Sequence, residues 1–230
     1  MNLINGKISF YEKISYNIQD LETLAKLNHT DIRGMINDLQ SHTANNILDI
    51  IKDYDVVLLQ EAFRKKARKL ISKSNIQFKS YGRYSRIKFP FGIFFKRDIG
   101  DGLIILSRYP IVKSGFSKFK SSEVNGKKIN RCEGTDCWAR KGVQFVRIKL
   151  DEELELDFYN THLNSGGGSA NSVREIQINQ IQDFINLKSG NRAYVLAGDF
   201  NSPPKGDSYK KLMATIIDGE YIDKRIEINL

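Results

Sequence analysis

Cysteine, histidine and long apolar runs are all scarce in this sequence, and each scarcity narrows what the chain does. The two cysteines, Cys132 and Cys137, sit five residues apart. They are too few for a four-cysteine zinc site and leave two readings open: a small loop-closing disulfide or a pair of free thiols. The three histidines are His29, His42 and His162, and none follows Asn201. No apolar run approaches the roughly 20 residues of a membrane-spanning helix. Residues Met1 to Phe10 lack the charged start, apolar stretch and small-residue cleavage site of a secretory signal. The expected location is therefore cytoplasmic, or secreted without a recognisable signal peptide. Acidic residues are missing from one long segment: between Ala62 and Arg97 there is no Asp or Glu.

That same segment holds 12 Lys and Arg, which against a total of +9 leaves −3 for the remainder. Eight aromatic residues are interleaved with the basic ones: Phe63, Phe78, Tyr81, Tyr84, Phe89, Phe91, Phe94 and Phe95. A cationic, aromatic-rich face suits a polyanion, either nucleic-acid phosphates with bases to stack on or an anionic membrane surface. The plainer reading of Arg64 to Ser74 is a solvated basic helix packing Phe63, Ala67, Leu70 and Ile71 inward. Phe89 to Phe95, broken by Pro90 and Gly92, is the stretch expected to expose rings for peripheral membrane contact. At 230 residues, with 40% hydrophobic and 27% charged residues, a single domain over 1–230 is expected.

Strand and helix patterns alternate along the chain without a repeat. A strand is expected within Lys7 to Ile18, ending at Tyr16-Asn17, and a helix over Leu39 to Lys52. Asp55 to Gln60 reads as an apolar strand closed by Glu61, and Gly102 to Ser107 as another buried strand. Lys113 to Thr135 is polar and poorly patterned, suggesting an extended hairpin or surface loop. Val143 to Leu150 and Leu154 to Tyr159 read as paired strands across an acidic turn. Gly166 to Gly168 breaks the chain before a helix over Asn171 to Leu187. Ala193 to Ala197 reads as a fully buried strand running into Gly198-Asp199-Phe200-Asn201-Ser202-Pro203-Pro204.

Four expected strands thus end in polar residues: Asn17, Glu61, His162, and Asp199 with Asn201. Such strand ends build sites at one edge of a layered fold. The set suits metal-assisted phosphodiester cleavage. Glu61 offers hard oxygen ligation to Mg²⁺, with Mn²⁺ the alternative, and Asn17 supports that metal or the phosphate. His162 can donate to a phosphoryl oxygen, Asp199 can orient or deprotonate water, and Asn201 can hold the transition state.

Ser15-Tyr16-Asn17-Ile18, Leu58-Leu59-Gln60-Glu61, Asn160-Thr161-His162-Leu163 and Gly198-Asp199-Phe200-Asn201, in that order, resemble the motifs of the endonuclease/exonuclease/phosphatase superfamily, which includes the deoxyribonuclease I-like enzymes. The resemblance implies an α/β fold, a four-layer sandwich of two packed, mostly antiparallel sheets flanked by helices. It places metal and phosphate roles on Asn17 and Glu61, phosphate on His162, water activation on Asp199 and the transition state on Asn201. Ile99 to Ile111, preceded by the aromatic loop, and Asp136 to Gly142 are similar to the neutral sphingomyelinase branch. On that likeness Lys141, Arg174 and Asn164 are second-tier phosphate-binding candidates; a solvated turn lysine is an equal reading of Lys141. A phospholipid headgroup is the favoured substrate and nucleic acid the second. Family members also finish with an Asp-His pair that this sequence does not carry after Asn201. The expectation is therefore a C-terminally short form lacking the final strands. A catalytically impaired phosphate- or membrane-binding module stands as the alternative to a metal-dependent hydrolase.

Overall fold

The computed structural model describes residues 48–49, 51–63, 65–83, 100–203 and 206–216. Asn17 with its expected strand, most of the Leu39 to Lys52 helix, and the Phe89 to Phe95 loop lie outside these residues.

Apolar stretches of four to eight residues form the interior strands. β1 (Val56–Leu59), β2 (Phe78–Tyr81) and β3 (Ile104–Ser107) make one antiparallel sheet in the order β1-β3-β2. β4 (Ile111–Lys118), β7 (Gly142–Lys149), β8 (Glu155–His162) and β9 (Tyr194–Asp199) make a second sheet in the order β4-β7-β8-β9. A small hairpin, β5 (Ser122–Val124) with β6 (Lys127–Ile129), stands apart. Among the described residues the complete helices are α1 (Lys65–Ile71), α2 (Ala170–Ser189) and α3 (Asp207–Ile216).

Alternation along the strands assigns the layers. Val57, Ile104 and Leu106 pack outward with Ile71 of α1, while Val56, Leu58 and Ile105 pack inward against the other sheet. The facing sheet answers with Val146, Ile148, Phe158 and Ala197. Its other face, through Val143, Phe145 and Tyr159, meets Ile178, Ile181, Phe184 and Ile185 of α2. Helix, sheet, sheet and helix therefore stack in that order, the four-layer α/β arrangement expected from sequence. Truncating a fully buried member such as Ile105 removes contacts to both neighbouring strands, a class of change that costs about 2–5 kcal/mol.

Three expectations are refined. The stretch expected as an extended hairpin or surface loop does hold a hairpin, β5 with β6, and it opens with Ile111–Lys118, a regular eight-residue strand at a sheet edge among the described residues. Phe78–Tyr81 is a strand at a place where no element was expected. β9 is half-buried along most of its length rather than fully buried, because among the described residues it has a strand partner on one side alone.

β9 lies parallel to β8, which demands a crossover; α2, entered through Gly166 to Gly168, supplies it. Thr161 pairs with Gly198, and a Cβ at Gly198 would lie 2.0 Å from the Thr161 carbonyl oxygen. Only glycine lets the two strands approach this closely, bringing His162 level with Asp199.

Candidate active site

β1, β7, β8 and β9 deliver their polar ends to one edge of the stacked sheets. Glu61 follows β1 by two residues and has φ 59°, a left-handed conformation uncommon for a side chain-bearing residue. Four contacts hold the residues that follow it. The Ala62 amide donates to the Gly102 carbonyl at 2.8 Å, and the Phe63 ring fills the space a Cβ on Gly102 would need. The Arg68 guanidinium donates to the Ala62 carbonyl at 2.8 Å and pairs with buried Asp101 at 3.5 Å. The Glu61 residue is exposed.

His162 ends β8 and is 5% exposed, with Nε2 3.7 Å from Asp199 Oδ2. Its Nδ1 is buried with no hydrogen-bond partner among the described residues. Burial first, then the Lys141 ammonium, lowers its pKa to about 4 despite Asp199 and Asp136, so the ring is neutral at pH 7. Asp199 Oδ1 accepts the Asn201 amide at 2.9 Å, an Asx turn that carries Asn201 to φ 48°. Asn201 Nδ2 in turn donates to the Leu163 carbonyl at 2.9 Å.

Lys141, just ahead of β7, is 2% exposed, which rejects the solvated-turn reading. Its ammonium donates to the same Leu163 carbonyl at 2.6 Å and pairs with Asp136 at 3.0 Å. Burial lowers its pKa, while the carboxylates of Asp136, Asp199 and Glu61 pull the other way. One ammonium thus senses carboxylates from both sheets. Asp136 sits on a 3₁₀ turn, Gly134–Trp138, and accepts from the Ser165 amide and hydroxyl at 2.5 and 2.8 Å. Burial works against its ionisation, but Lys141 and Ser165 together hold its pKa below the usual carboxylate range. The turn is closed at its base by a Cys132–Cys137 disulfide, which resolves the two readings left open by the spacing. Asp136 is a site neighbour that sequence reasoning did not single out; its signal was its place ahead of Lys141 in one short stretch.

Asn164 and Arg174 take different parts. Asn164 is fully buried, accepts the Glu133 amide at 2.9 Å and donates to the Ser165 carbonyl at 2.8 Å. Arg174 of α2 donates to the carbonyls of Asn164 and Gly166 at 2.9 and 2.8 Å and to Ser208 Oγ at 3.1 Å. Both brace the loop after His162, and their contacts with the protein account for much of their hydrogen-bonding capacity.

Among the described residues no three His, Cys, Asp or Glu side chains gather into one metal-sized group. The carboxylate of Glu61 fits a hard divalent ion that retains waters better than a tetrahedral nitrogen and sulfur cage. No helix among the described residues is long and apolar enough to cross a membrane.

Several known proteins are similar to this chain in sequence or fold. A putative neutral sphingomyelinase of Drosophila melanogaster is 33% identical over 167 residues, covering 70% of this chain and 35% of that protein. A sphingomyelinase of Mycobacterium tuberculosis is 26% identical over 150 residues, covering 65% of this chain and 27% of that protein. Among solved structures, sphingomyelinase C from Streptomyces griseocarneus matches with a TM-score of 0.59 at 24% identity, covering 76% of this chain and 62% of that one. A Staphylococcus aureus beta toxin with bound magnesium ions matches with a TM-score of 0.62 at 25% identity, covering 77% and 63%. The chain therefore spans about a third of these curated relatives and under two thirds of the solved chains. The family model described as Endonuclease/Exonuclease/phosphatase matches residues 14–219, taking in all four strand-end motifs. By that match and by its fold, the chain belongs to the endonuclease/exonuclease/phosphatase family.

Proposed function

We propose that this chain carries the site of a Mg²⁺-dependent phosphodiesterase acting on a phospholipid headgroup of the sphingomyelin type. The observation that carries the reading is the strand-end pair His162 and Asp199, 3.7 Å apart, beside the buried Lys141–Asp136 pair at 3.0 Å. Glu61, with Asn17, would hold the divalent ion, which when bound neutralises charge on the phosphoryl oxygens. Asp199 orients and deprotonates the attacking water, its second oxygen already committed to the Asn201 turn. His162, kept neutral by burial, offers an N–H to a phosphoryl oxygen without adding charge. Lys141 balances the local carboxylates as negative charge builds. The sphingomyelinase names of two relatives support the lipid headgroup, and the beta toxin with bound magnesium supports the choice of metal. The bonded Cys132–Cys137 pair supports the secreted alternative, since such bonds persist in oxidising compartments.

The test is choline-phosphate release from sphingomyelin vesicles with Mg²⁺, against EDTA and against Asp199→Asn and Glu61→Gln. Release that needs Mg²⁺ and falls by roughly 10²–10⁴ in each variant is the expected result. Nicking of plasmid DNA in place of lipid cleavage would transfer the reading to a nuclease. Mg²⁺ binding without turnover of either substrate would leave a binding module.

A further inference from the structure

The apolar interface between the two sheets stops one strand step short of the site, and two buried carboxamides take over. Along the inward face of β8 the order is Phe158, Asn160, His162; along the facing stretch of β7 it is Ile148, Val146, Gln144. Asn160 and Gln144 are direct cross-strand partners, 0% and 1% exposed. Each sends its side chain into the opposite sheet. Asn160 Nδ2 donates to the carbonyls of Leu59 at 2.9 Å and Ile104 at 3.3 Å, and Asn160 Oδ1 accepts from Gln60 Nε2 at 2.6 Å. Gln144 Nε2 donates to the Ser80 carbonyl at 3.0 Å and hydroxyl at 3.1 Å.

The two ties differ in what they hold. Asn160 stands two residues before His162 and grips the residues immediately before Glu61. Gln144 grips β2, which carries no site residue. Apolar contacts are non-directional and let packed sheets slide by fractions of an ångström; three hydrogen bonds from one side chain do not. We propose that Asn160, with Gln60, is a positioning pair that fixes the spacing between Glu61 on one sheet and His162 and Asp199 on the other. Its consequence for metal binding and turnover rests on the phosphodiesterase reading above; its consequence for the Glu61 segment does not.

The experiment compares Asn160→Leu and Gln60→Met with Gln144→Met as an internal control in the full chain. Gln60 is partly exposed, so Gln60→Met tests the same tie should Asn160→Leu fold poorly. Three quantities are measured: hydrogen exchange of the peptide covering Leu59 to Ala62, Mg²⁺ affinity by calorimetry, and kcat against KM for sphingomyelin. Expected are faster exchange in that peptide, weaker Mg²⁺ binding and a kcat lowered roughly 10- to 100-fold with KM nearly unchanged, as misplacement by about 1 Å produces. Gln144→Met leaves all three within about threefold of the parent, on the same argument. Equal effects of all three substitutions, or unaltered exchange in Asn160→Leu and Gln60→Met, overturn the proposal. If the parent chain neither binds Mg²⁺ nor turns over lipid, the functional reading falls and the exchange measurement still decides the tie.

Discussion

Strand β8 has a buried polar cluster at each end. Near its start Asp157, 0% exposed, accepts two hydrogen bonds from Arg147 at 2.6 and 2.8 Å and a third from Ser189 at 2.6 Å. The Tyr159 hydroxyl completes the set at 2.6 Å from Ser189 Oγ, and Arg147 spends a further donor on the Lys188 carbonyl. At the other end His162 leaves Nδ1 without a partner among the described residues, stands 3.7 Å from Asp199, and faces a lysine whose pKa is lowered by burial. Both clusters bury charge within one sheet. One closes its hydrogen bonds, raising the pKa of Arg147 through the bond to Asp157; the other keeps capacity in reserve. Saturation marks a group that ties β8 to α2, and reserve marks a group available to a ligand.

Three substitutions test that contrast. The largest effect on stability is expected from Arg147→Met, which strands a buried Asp157 and costs about 3–5 kcal/mol in urea unfolding, while activity per folded molecule is kept. Next comes the His162 end. Its pKa falls from 6.5 to about 4 on folding, so the folded chain resists protonation that the unfolded chain accepts. Stability is full above the unfolded value and is lost as pH drops from about 6.5 to 4, by up to about 3 kcal/mol. His162→Gln removes that part of the pH dependence, measured as the difference between the two unfolding profiles. The smallest effect belongs to Arg147→Met combined with Asp157→Leu. Replacing the whole pair by apolar side chains is expected to fall within about 1 kcal/mol of the parent, because the cost of the single change lies in the stranded charge. A double variant as unstable as Arg147→Met alone would break the contrast.

Much of the fold was legible because burial leaves a period in the sequence. Asp55 to Gln60 and Gly102 to Ser107 contain β1 and β3, Val143 to Leu150 covers all of β7 but its first residue, and the expected helix after Gly168 is α2. Ile111–Lys118 escaped because an edge strand needs few apolar residues, and Lys113, Ser114, Ser117 and Lys118 are as common in loops. In the site, short strand-end motifs pointed to Glu61, His162, Asp199 and Asn201, and the structure brings these four to one edge. Asp136 and Asn160 were not singled out, since their importance lies in partners 5 to 101 positions away. The cysteine pair was ambiguous because a spacing of five permits both a bond and two thiols; only the path of the chain between them decides.

Glu61 and Asn201 share one further property: both hold positive φ, at 59° and 48°. An L-residue in that region gives up on the order of 1 kcal/mol that glycine would not. Anyone seeking a hardier version of this protein will therefore meet two inviting glycine substitutions, Glu61→Gly and Asn201→Gly. Each would relax the backbone only by erasing a side chain at the edge where the four strands meet, and Asn201→Gly would also delete the hydrogen bond to the Leu163 carbonyl.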